Sequence, residues 1–344
     1  MTTPVRFTSG AEIREDDVQE LVEALGNLRR QLERVILGQE SVIEGLLVGV
    51  LAGGHCLLEG VPGLGKTMLV RALGDATHLR CSRIQFTPDL LPSDVLGTEV
   101  LEEDPETGRR SFRFRHGPIF ANLVLADEVN RSPPKTQAAL LEAMQEHRVT
   151  YAGETYELEA PFFVLATQNP IEQAGTYPLP EAQLDRFLVQ LVIDYPSAEA
   201  EREILVQTTG PEIPTIDPVI GQPEIVAAQE IVRQVHLSDA LTDYATELVR
   251  ATRPAESRVP EIVDSVDWGA GPRAGQALLL CSKARAFLRG RLAVTLEDVE
   301  ALLLPVVRHR IVLSFRGQAA RVRTDDLARA VLEAVPRPAS PLGG

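Results

Sequence analysis

The residue types and spacing that most directly specify chemistry lie in Gly60-Val61-Pro62-Gly63-Leu64-Gly65-Lys66-Thr67. Glycines bracket the loop and Lys-Thr closes it, after an apolar run (His55-Cys56-Leu57-Leu58-Glu59) and before a helix-like one (Met68-Leu69-Val70-Arg71-Ala72-Leu73). That strand–loop–helix context separates a phosphate cradle from an ordinary Gly-rich turn. Glycines let successive backbone N–H groups turn inward as a nest, and the following helix aims its positive end at the same anion. Lys66 is placed to reach β- and γ-phosphates and the Thr67 hydroxyl to hold Mg2+. Gly60, Pro62, Gly63, Leu64, Gly65 and Met68 complete the expected nucleotide cradle.

Two further stretches supply what such a cradle needs for phosphoryl transfer. Phe120-Ala121-Asn122-Leu123-Val124-Leu125-Ala126 is apolar and ends in Asp127-Glu128. This reads as a buried parallel strand emptying into a site. Asp127 is a candidate to hold Mg2+ through water, and Glu128 to orient or deprotonate the attacking water. The apolar run Phe162–Thr167 leads to Gln168-Asn169-Pro170, which puts Asn169 where a strand end meets the crevice of an α/β sheet. An asparagine there is equally suited to forming a turn.

The elements that must position these residues follow from periodicity. Val18, Leu21, Val22, Leu25, Leu28, Leu32 and Val35 recur at helical spacing, predicting an amphipathic helix from Ile13 to Ile36. A second helix is expected over Glu40–Ala52, a strand over Cys81–Phe86 and a helix over Pro133–Glu146. Residues 98–114 alternate around Asp104-Pro105-Glu106-Thr107-Gly108, a hairpin with Phe112 and Phe114 on one face and Arg113 and Arg115 on the other. It reads either as a half-buried pair of strands or as a protruding arm. A second hairpin is expected over 148–158, around Ala152-Gly153-Glu154, and the last apolar run is Leu188–Ile193. Helical segments begin near Pro223, Ser238, Gly271 and Thr295, and a final helix covers Thr324–Val335.

The expected organisation is an α/β core with a central parallel sheet, followed by a smaller all-α domain. Residues 1–12 read as a flexible N-terminus, 13–196 as the nucleotide-binding core with both hairpins, 197–230 as a Gly- and Pro-bearing linker, 231–335 as a helical lid and 336–344 as a disordered tail.

The 344 residues carry a formal charge of −15, which argues against a broad nucleic-acid surface, normally built from clustered Lys and Arg. Cys56, Cys81 and Cys281 are odd in number and widely spaced, fitting thiols in a reducing compartment. The N-terminus carries no apolar signal core and no run approaches membrane-spanning length, so a cytoplasmic location and no membrane span are expected.

At a larger scale the chain resembles the AAA+ ATPases, with the loop and Asp127-Glu128 as Walker A and Walker B motifs. More specifically, it resembles the MoxR family of the helix-2-insert clade. The strings carrying this are Asp127-Glu128-Val129-Asn130-Arg131-Ser132-Pro133-Pro134-Lys135-Thr136-Gln137, Leu140-Leu141-Glu142-Ala143-Met144-Gln145-Glu146, Ala166-Thr167-Gln168-Asn169-Pro170 and Gly175-Thr176-Tyr177-Pro178-Leu179-Pro180-Glu181-Ala182-Gln183-Leu184-Asp185-Arg186-Phe187. The resemblance covers residues 15–335 and implies an AAA+ αβα P-loop core with an all-α lid, using ATP and Mg2+.

The resemblance also implies individual roles. Asn169 corresponds to sensor 1, beside the γ-phosphate water; Arg186 to the arginine finger completing a neighbour's site; and Arg273, in Gly271-Pro272-Arg273-Ala274, to sensor 2 in the lid. The family pattern carries Ser where this chain has Gly271. Arg131 is a further candidate for an inter-subunit contact. The hairpins resemble the helix-2 insert and the pre-sensor-1 hairpin. Family members are chaperone-like, form hexameric rings and remodel, mature or activate protein complexes, often with partners bearing a von Willebrand factor A domain. A DNA-linked motor or a metal-chelatase motor subunit of the same clade is the alternative.

Overall fold

The computed structural model describes residues 15–61, 63–103, 110–169, 176–211 and 215–338. The core opens with α1 (Glu15–Val35) and α2 (Glu40–Leu51), then β1 (Cys56–Gly60) and α3 (Lys66–Ala76). After β2 (Cys81–Gln85) come a short α4 (Pro92–Leu96), β3 (Gly97–Glu103) and β4 (Arg110–His116). Next are β5 (Leu123–Asp127), a 3-10 turn at Val129–Arg131, α5 (Pro134–Glu146), β6 (Arg148–Tyr151) and β7 (Glu154–Glu157). β8 (Phe163–Gln168), α6 (Glu181–Leu184) and β9 (Val189–Ile193) finish the core.

A five-stranded sheet runs in the order β2-β5-β8-β1-β9, with every pairing parallel. Its strands are apolar almost throughout because both faces are covered. Leu58, Leu123, Leu125, Phe163, Leu165 and Leu191 point to one side, into a core shared with α1, α2, α3 and the lid. Leu57, Val124, Ala126, Val164 and Ala166 point to the other, where Val95 of α4 and Leu140, Leu141 and Met144 of α5 cover them. His55 ties the start of β1 across the sheet: its Nδ1 accepts from Val164 N–H at 3.1 Å and its Nε2 donates to Met144 O at 3.0 Å. The two bonds fix one neutral tautomer, and burial pulls the imidazole from 6.5 down to about 4.

Both hairpins form. β3 and β4 pair antiparallel from Gly97↔His116 to Glu103↔Arg110, and β6 pairs with β7. The predicted turn at Asp104–Gly108 lies outside the described residues. Of the two readings of the first hairpin, the protruding arm is the one adopted: Phe114 is half-buried, but the other β4 residues are exposed. Phe114 stacks on Tyr156 at 4.4 Å and leans on Tyr151 at 5.0 Å, so one aromatic ring clamps the two hairpins together. Phe112 shares its face but lies beyond that clamp, exposed opposite Leu101.

The second part comprises α7 (Ala198–Thr209), α8 (Gln222–Gln234), α9 (Asp239–Arg250), α10 (Pro260–Ser265), β10 (Val266–Trp268), α11 (Pro272–Leu288), α12 (Leu296–Val307), β11 (Val312–Leu313), α13 (Phe315–Ala319) and α14 (Thr324–Ala334). The expected linker over 197–230 is corrected here. Most of it is helical, with α7 capped by Ser197 Oγ accepting from Ala200 N–H at 3.2 Å. α7 buries none of its residues, so it lacks the apolar period by which a sequence announces a helix. Ile225 and Ala228 of α8 are already buried in the apolar cluster that the core and the lid helices share. The lid is helical apart from the short β10–β11 pair.

Lid and core are joined by charge as well as by packing. Glu44 of α2 receives Arg289 at 2.9 Å and lies 3.5 Å from Arg285, which in turn binds Asp298 of α12 at 2.6 Å. Burial pushes the Asp298 carboxyl up, but bonds from Arg291, Thr295 and Arg285 outweigh it and hold it at about 2. The expected tail residues 339–344 and the N-terminal 1–12 lie outside the described residues. No helix among the described residues is long and apolar enough to cross a membrane.

Candidate active site

The parallel register places the ends of β1, β5 and β8 side by side at one edge of the sheet: Glu59 opposes Gln168, and Ala126 opposes Ala166. Gly60, Asp127 and Asn169 all leave the sheet there. Gly63 and Gly65 take φ of +87° and +78°, a region that favours glycine, with nothing within 4 Å of where a Cβ would lie. The glycines are needed for conformation and leave the concave side of the turn open. Gly60 differs, since a Cβ there would meet Ile193 O at 2.9 Å. Thr67 and Met68 are exposed on the first turn of α3, Leu64 is half-buried, and Pro62 lies outside the described residues.

Lys66 folds over the loop and donates to Gly60 O at 2.6 Å and Gln168 O at 3.4 Å. Burial lowers its pKa, opposed by the charges of Asp127, Glu128 and Glu59. The ammonium is thus centred among acids that a polyphosphate would join.

Asp127 is buried at the end of β5. Its Oδ1 accepts from Thr167 Oγ1 at 2.7 Å, and its Oδ2 pairs with Arg83 at 2.7 Å. The Glu128 N–H donates to the same Thr167 oxygen at 2.9 Å. One hydroxyl therefore sets the height of two successive acids. Glu128 stands at φ +56°, left-handed for a residue with a Cβ, a conformation costing about 1–3 kcal/mol that surrounding bonds must hold. Its carboxylate accepts from Gln85 Nε2 at 3.0 Å and lies 3.3 Å from Arg131 Nε. Arg131, expected as an inter-subunit contact, is thus engaged within its own chain. Asn169 is buried at the same edge.

The two remaining predicted arginines are elsewhere. Arg186 precedes β9, which runs parallel to β1 with Cys56 opposite Val189 and Gly60 opposite Ile193. It therefore sits at the other edge of the sheet, a strand length of roughly 13 Å from the phosphate loop. Arg273, in the first turn of α11, lies 3.6 Å from Asp185 and lines with Arg186 a cleft of about 260 Å³. The lid thus seats Arg273, expected at the sensor 2 position, beside Arg186. A second open cleft of about 550 Å³, with Glu142, Gln145 and Arg148, meets the first at Arg186.

Thr167, Arg83 and Gln85 escaped the sequence reading. Arg83 and Gln85 could not be found by spacing, because only the sheet order puts β2 next to β5. Thr167 left a signal, a hydroxyl at the end of an otherwise apolar strand.

Comparison with known proteins bears directly on this arrangement. Residues 55–189 match the ATPase family associated with various cellular activities, and residues 262–331 match the AAA lid domain. The chain is 41% identical to the chaperone MoxR1 of Mycobacterium tuberculosis over 90% of this chain and 81% of that protein. It is 42% identical to the uncharacterized protein YeaC of Bacillus subtilis, covering 93% and 97%. A crystal structure of a Cytophaga hutchinsonii protein superimposes with a TM-score of 0.86 at 40% identity, over 94% of this chain and 97% of that one. The phosphate loop, the paired acids, Asn169 and Arg186 all fall within the matched ATPase region, and Arg273 within the matched lid. The chain thus belongs to the MoxR family of AAA+ ATPases, an ATP-hydrolysing enzyme with a AAA core and its lid.

Proposed function

We propose that this enzyme hydrolyses ATP at sites shared between subunits of a ring, and uses the cycle to remodel, mature or activate a partner protein complex in the cytoplasm. The observation that carries the shared site is the separation of its parts. The phosphate loop, Asp127, Glu128 and Asn169 occupy one edge of the sheet, while Arg186 and Arg273 occupy the other. Neither arginine serves its own chain's loop, so both are read as serving a neighbour's.

In this reading Lys66 and the loop N–H groups bind the phosphates, Glu128 takes the proton of the attacking water, and Asn169 orients that water. The donor set suits Mg2+: one hydroxyl (Thr67) and one carboxylate (Asp127), with phosphate oxygens and water left to supply the rest. When bound, Mg2+ neutralises charge developing on the transferred phosphoryl. An arginine brought to that charge is worth about 10³–10⁵ in rate, so assembly would gate turnover.

The name of MoxR1 supports a chaperone-like role on a protein client. A hexameric ring and a client or co-factor protein with a von Willebrand factor A domain are proposed with it. A DNA-linked motor is less well supported: the chain carries −15 net charge, and Arg110 and Arg113 on the protruding arm pair with Glu103 and Glu102.

The test is complementation. Arg186→Ala keeps its own loop and acids; Glu128→Gln keeps its arginines. Each alone should be nearly inactive, and an equimolar mixture should regain turnover well above either parent. A mixture no better than its parents would defeat the shared-site reading.

A further inference from the structure

We propose that Arg310, in the lid, is a positioning residue for Arg186: it clamps the backbone on both sides of that arginine, so the lid's seating sets how Arg186 is presented. The inference rests on the reading that Arg186 acts on a neighbouring subunit.

Arg310 follows α12, and its side chain is only 3% exposed. All three guanidinium nitrogens are committed to the segment that carries Arg186 into β9. Nε donates to Asp185 Oδ1 at 2.8 Å, Nη2 to Phe187 O at 2.7 Å and Asp185 O at 3.4 Å, and Nη1 to Leu188 O at 3.1 Å. Nη1 also donates to Val306 O at the end of α12, which fixes the guanidinium to the lid. The residues beside Arg310 act on the same segment. His309 Nε2 donates to Phe187 O at 3.0 Å, and Arg308 Nη1 to Gln190 O at 3.3 Å.

The result is selective. Carbonyls of Asp185, Phe187 and Leu188 are held by the lid, Phe187 is fully buried, and the Arg186 side chain between them is left half-exposed in the clefts. Asp185 joins the system to Arg273 at 3.6 Å, so Arg310 and Arg273 share one carboxylate. A planar fork is required for this geometry. A lysine carries its donors on one nitrogen, whereas the fork spreads them over three positions that reach from the Asp185 carboxylate through Phe187 O to Leu188 O. Sliding the lid without the segment would strand a buried cation, which is strongly disfavoured.

The experiment uses full-length protein and two variants, Arg310→Lys and Asp185→Asn. Mispositioning a reactive group by about 1 Å costs about 100-fold in rate, so Arg310→Lys should lose about that much kcat. Its KM for ATP should stay within about twofold, because its own phosphate loop lies at the far edge. Asp185→Asn removes one of the carboxylate bonds and should lose less, about tenfold. Mixing Arg310→Lys with Glu128→Gln, which supplies an intact Arg186, should restore turnover at least about tenfold, and the same mixture with Asp185→Asn should rise by a smaller factor.

Wild-type kcat in Arg310→Lys overturns the inference. So does a loss in both variants that Glu128→Gln does not rescue while it does rescue Arg186→Ala; Arg310 would then serve stability alone. If Arg186→Ala is not rescued either, the shared-site reading itself fails and this inference falls with it.

Discussion

Thr167 donates its hydroxyl proton to Asp127 at 2.7 Å, from a strand adjacent to the one that ends in the acid. The same oxygen accepts the N–H of Glu128. Thr167→Val keeps shape and burial but removes both bonds. Partners that orient a metal-binding carboxylate typically account for about 10–100-fold in affinity or activity. Thr167→Val should therefore lower turnover by about that factor and raise the Mg2+ concentration for half-maximal activity. A variant indistinguishable from wild type across a Mg2+ titration would show that the hydroxyl does not set these acids.

Arg83 should act in the opposite sense. Its guanidinium sits on Asp127 Oδ2 at 2.7 Å, where a cation competes with any cation Asp127 is to hold. Arg83 is about half exposed, so the pair is worth at most about 1 kcal/mol, a factor of about five. Arg83→Gln should lower the Mg2+ requirement by two- to about fivefold. An unchanged or raised requirement would remove competition as the role of this pair.

Stability should fall on mild acidification. His55 is neutral in the fold with its pKa depressed from 6.5 to about 4, and His309 is pulled well below its usual range by burial and by the neighbouring Arg310 charge. Between those values the unfolded chain binds protons that the folded chain refuses, so stability decreases as pH drops from 6.5 towards 4. A full shift at His55 corresponds to about 3 kcal/mol. Urea midpoints measured across that range should decline, and the decline should shrink in His55→Gln. A flat profile would mean that neither imidazole stays neutral in the fold.

The two hairpins should move as one. Phe114→Ala removes the ring that packs on both Tyr151 and Tyr156; each such pair contributes about 0.5–1.5 kcal/mol. Hydrogen exchange should accelerate in β3–β4 and β6–β7 together, leaving the central sheet protected. Phe112→Ala, whose ring is 69% exposed, should leave both rates unchanged. Acceleration confined to one hairpin would show that the ring does not couple them.

The sequence displayed the nucleotide edge well because its parts are contiguous or strongly patterned. The loop is a continuous string, and the acids and Asn169 follow apolar runs that read as buried strands and fold as such. What it hid were relationships requiring the sheet order. Gln85 meets Glu128 because β2 lies beside β5, and Arg310 meets Asp185 across 125 positions of chain. Helix α7 was hidden for a different reason: an unburied helix carries no apolar stripe. The position of Arg273 beside Asp185 was hidden as well, because a motif names a residue's kind of partner without naming where the lid will seat it.

The placement of the arginines at the edge opposite the phosphate loop also gives the subunit a polarity. On the proposed reading each molecule offers a socket at one end and a plug at the other, so contact is head to tail rather than two-fold. Any open string then ends with one socket unfilled and one plug idle, and only closure removes this boundary defect. The enzyme would count its own neighbours: the fraction of competent sites rises with each subunit added and reaches unity when the last plug meets the first socket.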